Sequence, residues 1–161
     1  MKLKLVNHGK LKGSHALIDK EDFEKVSKYR WIARQSKERV YVQHLFLKNG
    51  KWSVLHLHRI IMRAPKGMDV DHINGNGLDN RKRNLRICTR SQNLMNGKKK
   101  RKNKYKGTSW DKRKKKWEAF IGYNHKKISL GYYKKAKEAG KAYNAGAKKI
   151  FGKFARLNKI T

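Results

Sequence analysis

The sequence predicts an α+β protein built from small antiparallel sheets and short helices, and three observations support this class. Segments in which apolar and polar residues alternate recur along the chain, separated by turn residues such as Asn49-Gly50. Two further alternating segments enclose a loop rich in Asn and Gly and precede a short helical pattern. Near the C-terminus, strand-like alternation is followed by a long segment with small residues at helical spacing.

Residues 1–64 are expected to form a small α+β module. A helix is predicted to begin near Asp19, with acidic residues in its first turn, and to end at about Lys28. A second short helix at 58–63 should end before Pro65, because the residue before a proline disfavours helical geometry. The strands predicted in this module are 2–6, 14–18, 31–33, 39–47 and 52–57.

Residues 65–97 are expected to form a strand, a loop, a second strand and a helix. The first strand ends at Asp71-His72, and residues 74–77, Asn-Gly-Asn-Gly, favour a tight turn. Residues 85–89 alternate like a strand. Thr89 or Ser91 can cap the helix that follows, and Gly97 is a stop signal. The predicted unit is therefore ββα.

This ββα unit should bring three polar side chains together. Asp71 and His72 at the end of the first strand would lie opposite Asn93 in the first turn of the helix. A carboxylate and an amide oxygen suit Mg²⁺ or Mn²⁺, with water and a substrate phosphate completing the ligand shell. His72 beside the ion could act as a general base, because its ordinary pKa lies near neutrality.

The string DHINGNGLDNRKRNLRICTRSQN, together with Asn96, resembles the HNH (ββα-metal) nuclease motif, most closely that of phage and group I intron homing endonucleases. The resemblance implies that Asp71 and Asn93 bind one divalent ion and that His72 is the base. It also implies that Asn84 pins the loop between the strands so that the histidine is oriented. Asn93 replaces the last histidine of the motif, which favours Mg²⁺ or Mn²⁺ over zinc or nickel.

The charge of the chain points to a polyanionic partner. In 161 residues there are 44 Lys and Arg against 11 Asp and Glu, a formal charge of +33, so nucleic acid is expected and a membrane surface is the weaker alternative. The sequence contains neither an apolar run of membrane-spanning length nor a signal-peptide core, so an intracellular, cytoplasmic protein is expected, in the host cell if a phage encodes it. The single cysteine, Cys88, excludes an internal disulfide and paired-cysteine zinc knuckles.

Residues 98–104, KKKRKNK, are expected to form a basic linker that lies along phosphates. The basic character continues into the following segment, where Trp110 is a candidate for base contact and core packing is the alternative. The residues predicted to bind DNA are Lys98, Lys99, Lys100, Arg101, Lys102, Lys104, Lys106, Trp110, Arg113 and Lys116.

Residues 105–161 are expected to form a three-stranded antiparallel sheet packed on one helix. The strands are predicted near 105–110, 117–121 and 127–132, with a turn at Asn124-His125, and the helix at 135–149. Such a sheet can enter the major groove of DNA.

This segment resembles the DNA-binding domain of plant ethylene-response transcription factors, a resemblance that implies that the sheet meets the bases. Gly140 and Gly146 stand where alanine is usual, which would cost up to about 1 kcal/mol each in a helix. The residues that carry the resemblance are Tyr105-Lys106-Gly107, Trp117, Leu130-Gly131-Tyr132, Glu138-Ala139, Ala142-Tyr143-Asn144, Gly152 and Leu157-Asn158.

Three further histidines, His44, His56 and His58, could suggest a second metal site. The spacing of His56 and His58 would place both on one strand face. Structural or phosphate-donating roles are the preferred interpretation, and the sequence does not assign a role to His58.

The predicted function is that of a homing-type DNA endonuclease. His72 would activate water, and one Mg²⁺ or Mn²⁺ would stabilise the leaving 3′ oxygen, giving 5′-phosphate and 3′-hydroxyl ends. The expected partner is double-stranded DNA, bound by a monomer without a small-molecule cofactor. The target sequence and the choice between nicking and double-strand cleavage are left open. The alternative is a non-catalytic DNA- or RNA-binding regulator built on a nuclease scaffold.

Overall fold

The computed structural model describes residues 1–7, 11–36, 39–97, 103–124 and 126–160. The chain divides into two compact units, Met1–Asn93 and Leu94–Thr161. Both combine small antiparallel sheets with helices, so the predicted α+β class is confirmed. None of the helices among the described residues is long and apolar enough to cross a membrane.

Among its described residues, the first unit contains three small antiparallel sheets. β1 and β2 form one pair, β3, β4 and β5 form a sheet in that order, and β6 and β7 form the second pair. The predicted Asn49-Gly50 hairpin is confirmed: both residues have positive φ, 50° and 71°, as a two-residue turn between β4 and β5 requires. The strands are β1 Lys2–Lys4, β2 His15–Leu17, β3 Ile32–Ser36, β4 Arg39–Lys48, β5 Lys51–His56, β6 Asp69–His72 and β7 Leu85–Cys88.

The helices of this unit are short. A 3₁₀ turn at Lys20–Asp22 continues into α1, Phe23–Ser27, as the acidic residues after Asp19 predict. α2 spans Leu57–Met62 and ends at Arg63, which adopts the left-handed conformation with φ 47° just before Ala64-Pro65. α3 spans Arg90–Asn96 and starts where the ββα pattern predicts.

One apolar core joins the predicted N-terminal module to the ββα unit. Trp31, Val42 and Leu57 from the former pack in the same cluster as Val70 and Leu85 from the latter. The boundary predicted at residue 64 therefore falls within one compact unit. The finer division into 1–64, 65–97, 98–104 and 105–161 stays a prediction.

The second unit has the predicted three-stranded sheet on one helix. β8 is Thr108–Asp111, β9 is Lys116–Tyr123 and β10 is Lys126–Tyr133, in the order β10-β9-β8. α4 spans Ala136–Phe151 and is followed by a 3₁₀ turn at Gly152–Phe154. Of the predicted turn between β9 and β10, Asn124 has φ 48°, and His125 lies outside the described residues.

The two glycines inside α4 allow close packing. A Cβ on Gly146 would come within 2.8 Å of Leu130, and one on Gly140 within 2.9 Å of the Tyr105 ring. Both distances are shorter than a normal carbon–carbon contact. The reduced helix propensity at these positions is therefore offset by a closer fit of α4 to Leu130 and Tyr105.

Candidate active site

β6 and β7 place the predicted catalytic residues. Asp71 pairs with Arg86 and His72 pairs with Leu85 across this two-stranded ladder. Because side chains alternate along a strand, Asp69 and Asp71 share one face, and Val70 lies on the other face in the core. Asp71 and His72 are both largely buried, at 7% exposed.

Asp71 is held by its cross-strand neighbour. Nη2 and Nε of Arg86 donate to Oδ2 of Asp71, at 2.6 and 2.9 Å, and both side chains are mostly buried. A charge-assisted pair of this kind orients the carboxylate. Any cation bound by Asp71 would share this carboxylate with the guanidinium of Arg86.

α3 brings Asn93 to β6, where its side chain bonds Asp69. Of the two predicted caps, Thr89 forms the capping bonds: its Oγ1 accepts from the Gln92 N–H at 3.2 Å, and Gln92 Oε1 accepts from the Thr89 N–H at 2.9 Å. Nδ2 of Asn93 then donates to Oδ2 of Asp69 at 2.8 Å. This hydrogen bond is the largest cause that keeps the pKa of Asp69 below its usual value. Asn93 thus lies at the face shared by Asp69 and Asp71.

The donor atoms at this face fit a hard divalent cation. They are carboxylate oxygens of Asp69 and Asp71 and the amide oxygen of Asn93. The hydrogen bond from Asn93 to Asp69 uses the Nδ2–H of Asn93 and not this oxygen. Among the described residues there is no group of three or more His, Cys, Asp or Glu that could hold a metal. The set therefore matches an oxygen site completed by water and phosphate, rather than a closed zinc site.

His72 is oriented by Asn80. The ring Nε2 lies 3.2 Å from Oδ1 of Asn80, while Nδ2 of Asn80 donates to the Gly77 carbonyl at 3.0 Å, which determines which end of the amide faces the ring. Oδ1 can only accept, so the proton of the neutral ring sits on Nε2, and Nδ1 is the basic nitrogen. Burial lowers the pKa of His72, against the opposing effects of Asn80 and Asp71.

The hydrogen bonds of Asn84 join residues of the loop between β6 and β7 and do not involve the His72 ring. Its Oδ1 accepts from the Asn74 N–H at 3.1 Å, and its Nδ2 donates to the Asn74 side chain and to the Asp79 carbonyl, at 3.1 and 2.8 Å. Arg81 bonds both carboxylate oxygens of Asp79 at 2.7 Å. These bonds define the conformation of the loop that carries Asn80.

Elements far away in sequence support this loop. The backbone N–H of Asn80 donates to the Leu17 carbonyl at 2.7 Å, and the Leu17 N–H donates to the Leu78 carbonyl at 2.8 Å. Asp19 accepts from the Lys82 N–H at 2.7 Å. On the other side, a Cβ on Gly77 would come within 1.7 Å of the Val40 carbonyl oxygen. The loop is therefore packed between β2 and β4.

A row of aromatic rings runs from β4 and β5 to His72. Ring centroids are 6.2 Å apart for Tyr41 and His56, 5.3 Å for His56 and His58, and 5.2 Å for His58 and His72. Burial is the main cause that lowers the pKa of His58 to about 3, and the neighbouring His72 and His56 add to it. His58 is therefore neutral at neutral pH.

The prediction that His56 and His58 share a strand face is wrong. β5 ends at His56 and α2 begins at Leu57, so His58 is in the first helical turn, and the rings meet because the chain bends there. His44 is not part of the row. It stacks on Phe46 with centroids 6.1 Å apart, and its Nδ1 lies 3.0 Å from the Arg30 carbonyl oxygen.

The predicted DNA-binding residues have different environments. Lys98, Lys99, Lys100, Arg101 and Lys102 lie outside the described residues. Lys104, Trp110, Arg113 and Lys116 are exposed.

Lys106 and Trp110 are also tied to the structure of the second unit. Nζ of Lys106 donates to the Met95 and Gly97 carbonyls at 2.7 and 3.0 Å, so this ammonium satisfies the end of α3. Trp110 pairs with Trp117 across β8 and β9, with ring centroids 5.5 Å apart.

Comparison with known proteins places this site in a family. Residues 56–95 match a family model described as HNH endonuclease. This range contains α2, β6, β7 and most of α3. The chain is also 30% identical over 164 residues to a protein described as an uncharacterized HNH endonuclease of Acanthamoeba polyphaga mimivirus, covering 94% of this chain and 79% of the relative. The chain belongs to the HNH endonuclease family. Membership in this nuclease family implies a nucleic acid substrate and use of a divalent metal. No solved structure matches the chain.

Sequence reasoning missed several residues of this HNH site. Asp69 could have been noticed, because it lies two residues before Asp71 on a predicted strand and so shares its face. Arg86 could likewise have been noticed, because pairing the two strands places it opposite Asp71. Asn80 and His58 carry no such signal, since their contacts with the His72 ring depend on the path of the loop and of α2.

Proposed function

We propose that the chain is a divalent-metal-dependent DNA endonuclease of the homing type, in which His72 is the general base. The observation that carries the proposal is the orientation of His72 by Asn80 at the end of β6, directly after Asp71. A binding protein has no need of a buried imidazole whose basic nitrogen is determined by a second buried side chain. The charge of +33 supports a polyanionic substrate.

The chemistry proposed for His72 is proton abstraction from water. Nδ1 takes the proton, the water oxygen forms a bond to phosphorus, and the bond from phosphorus to the 3′ oxygen breaks. The products are a 5′-phosphate and, after protonation by solvent, a 3′-hydroxyl. Mg²⁺ or Mn²⁺ held by Asp71 and Asn93 would neutralise charge on the leaving 3′ oxygen.

In this proposal Asn84 acts through the loop. Its hydrogen bonds to Asn74 and Asp79 keep the loop in the conformation that presents Asn80 to the ring. Asn80 then keeps the His72 ring in one tautomer and one orientation. Both asparagines are positioning residues, since neither touches the reacting atoms.

The second unit is proposed to bind DNA in the manner of the plant ethylene-response domain that its sequence resembles. Its three-stranded sheet on α4 has the predicted architecture. Trp110, Arg113 and Lys116 lie exposed near the turn between β8 and β9, where they could reach a groove. The basic linker 98–104, which includes Lys104, would contact phosphates.

One observation favours the alternative, a non-catalytic nucleic-acid-binding regulator. Arg86 already neutralises Asp71 at short range, so a metal would have to compete with or share this ion pair. The two functions are separated by one assay: incubation of supercoiled DNA with the protein in Mg²⁺ or in EDTA. Nicked or linear product that forms in Mg²⁺ alone supports the endonuclease, and binding without product supports the regulator.

The role of His72 is tested by substitution. His72→Ala should abolish cleavage and leave DNA affinity nearly unchanged, because a base acts in the transition state rather than in binding. Asp71→Ala should lose metal-dependent cleavage. Cleavage by His72→Ala at the wild-type rate in Mg²⁺ would show that the assignment is wrong.

A further inference from the structure

The hairpin of β4 and β5 carries an apolar surface that the proposed catalytic chemistry does not use. Trp52 is 72% exposed, Leu47 61% and Val54 44%. Leu47 and Trp52 are cross-strand partners, as are Leu45 and Val54, so all four project from one face of the hairpin. Large apolar side chains grouped in this way are typical of an interaction site.

This face is continuous with the catalytic histidine. Moving along the hairpin from its tip, the next pair on the same face is Gln43 and His56, and the following residue on β4 is Tyr41. From His56 the ring contacts continue through His58 to His72, with centroids 5.3 and 5.2 Å apart. Gln43, His58 and His72 are buried, so a ligand seated on this face would meet the exposed pairs near the tip, and His72 lies further along the same row of residues.

The charges of these strands favour a polyanionic ligand. The strands β3, β4 and β5 contain Arg34, Arg39, Lys48 and Lys51 and no Asp or Glu. Arg39 donates to the Tyr41 hydroxyl at 3.5 Å and lies close enough to His72 to lower its pKa. A lipid surface or a second copy of this strongly basic chain fits less well, since a second copy would bring like charges together.

The length of the hairpin limits how far its tip can lie from His72. Four residues separate His56 from Trp52, or about 13 Å at about 3.3 Å per strand residue. The ring contacts between His56 and His72 add up to about 10 Å. Since stacked base pairs are about 3.4 Å apart, the hairpin segment alone corresponds to about four base steps and the whole row to at most about seven.

We propose that the pair formed by Leu47 and Trp52 is a wedge that presses between base pairs of double-stranded DNA about four to seven steps from the scissile phosphate. Apolar side chains that enter a base step unstack it and bend the duplex. Arg34 and Arg39 would hold the intervening backbone, and the bend would bring the scissile phosphate towards His72. The inference rests on the proposed function in taking DNA as the ligand.

The test is a set of duplexes in which a fluorescent adenine analogue, 2-aminopurine, replaces one base at a time beside the mapped cleavage site. The full chain is added in EDTA, so that the DNA stays intact. Fluorescence should rise several-fold at one or two positions about four to seven steps from the cleaved bond. Trp52→Ala should remove this rise and weaken duplex affinity about tenfold, which corresponds to about 1.4 kcal/mol. Leu47→Ala should reduce both the fluorescence rise and the affinity for the duplex.

Phe23→Ala is the matched control, because Phe23 is an exposed aromatic residue on α1. It should leave the fluorescence pattern and the affinity at wild-type values. Trp52→Ala should keep the wild-type melting temperature, since its side chain packs little. A fluorescence rise that survives in Trp52→Ala overturns the wedge, as does a wild-type dimer in sedimentation that this variant converts to monomer.

Failure of the proposed function gives a different result. If the wild-type chain does not cut in Mg²⁺, unstacked thymines on a long duplex are mapped by permanganate instead. Trp52-dependent reactivity without cleavage means that the wedge is present and the endonuclease assignment is wrong. Cleavage without any Trp52-dependent unstacking means that the chain is an endonuclease and that the wedge is absent.

Discussion

His58 shows how a single buried side chain can influence this molecule. It is 7% exposed, and its ring touches that of His72. Its pKa is lowered to about 3, chiefly by burial, whereas an exposed histidine in the unfolded chain titrates near 6.5. Between these two values the unfolded state binds a proton that the folded state does not bind.

The free energy of unfolding should therefore fall as the pH is lowered from about 6.5 towards about 3. The contribution of His58 is complete above about pH 6.5, and its loss approaches about 1.4 kcal/mol per pH unit below this value. Urea denaturation at several pH values measures the slope. His58→Phe should flatten it relative to the wild type. Equal slopes for the wild type and His58→Phe would contradict the burial argument.

At the scale of elements, the active-site loop is a packed structure rather than a free connection. It pairs with β2 through Leu17, and Gly77 lies directly against the backbone of β4. Because Asn80 follows three residues after Gly77, a displacement of the loop from β4 also displaces the side chain that orients His72. The N-terminal strands are therefore expected to influence the position of His72 through the packing of this loop.

Gly77→Ala is expected to test this coupling. The added Cβ meets the Val40 carbonyl, so the loop must shift, at a cost of about 1–3 kcal/mol of unfolding free energy. Misplacing His72 by about 1 Å should lower the single-turnover cleavage rate on the order of 100-fold. Gly122→Ala is the control, since its Cβ would meet nothing within 4 Å. A folded Gly77→Ala variant that cuts at the wild-type rate would show that the cleavage geometry does not depend on the packing of the loop against β4.

At the scale of the whole molecule, the HNH site and the proposed groove-reading sheet belong to different compact units. Asp71, His72, Asn80 and Asn93 all lie within Met1–Asn93, and the sheet of β8, β9 and β10 lies within Leu94–Thr161. Each unit has an apolar cluster of its own. Cleavage and discrimination are therefore expected to be separable.

Truncation after Arg101 should leave a chain that folds and cuts in Mg²⁺, with weaker affinity and poorer choice between a preferred site and random DNA. Removing the sheet should reduce discrimination by roughly 1–3 kcal/mol for each good hydrogen-bonded pair that it forms with a base edge. Cleavage maps of the full-length and truncated chains on one long DNA provide the measurement. An identical preferred site in both would move sequence reading to the first unit.

The predicted basic linker, residues 98–104, can be tested separately. Neutralising Lys98, Lys99, Lys100 and Arg101 should weaken binding to all sequences alike, because ion pairs with phosphates carry no sequence information. The slope of log affinity against log salt should become shallower by about 0.9 for each phosphate that the variant no longer neutralises. An unchanged slope with an altered site preference would show that these residues read bases instead.

The sequence by itself determined the parts of this protein that depend on neighbours along the chain. Period-2 alternation predicted the strands, Asn49-Gly50 predicted the hairpin turn, and Thr89 was one of two predicted caps for α3. Asp71, His72, Asn84 and Asn93 were also predicted from spacing and from the motif that they resemble, and their roles stay predictions. These features could be predicted because turn geometry, capping and alternation act over a few residues.

Only the tertiary structure decided which side chains meet. It placed Asn93 on Asp69, Asn80 on the His72 ring, and His58 beside the same ring. It also joined the N-terminal strands and the ββα unit in one core, which the sequence had assigned to separate segments. The physical reason is that these contacts connect separate elements, so they depend on how loops and helices are packed in space, and no local propensity encodes that packing.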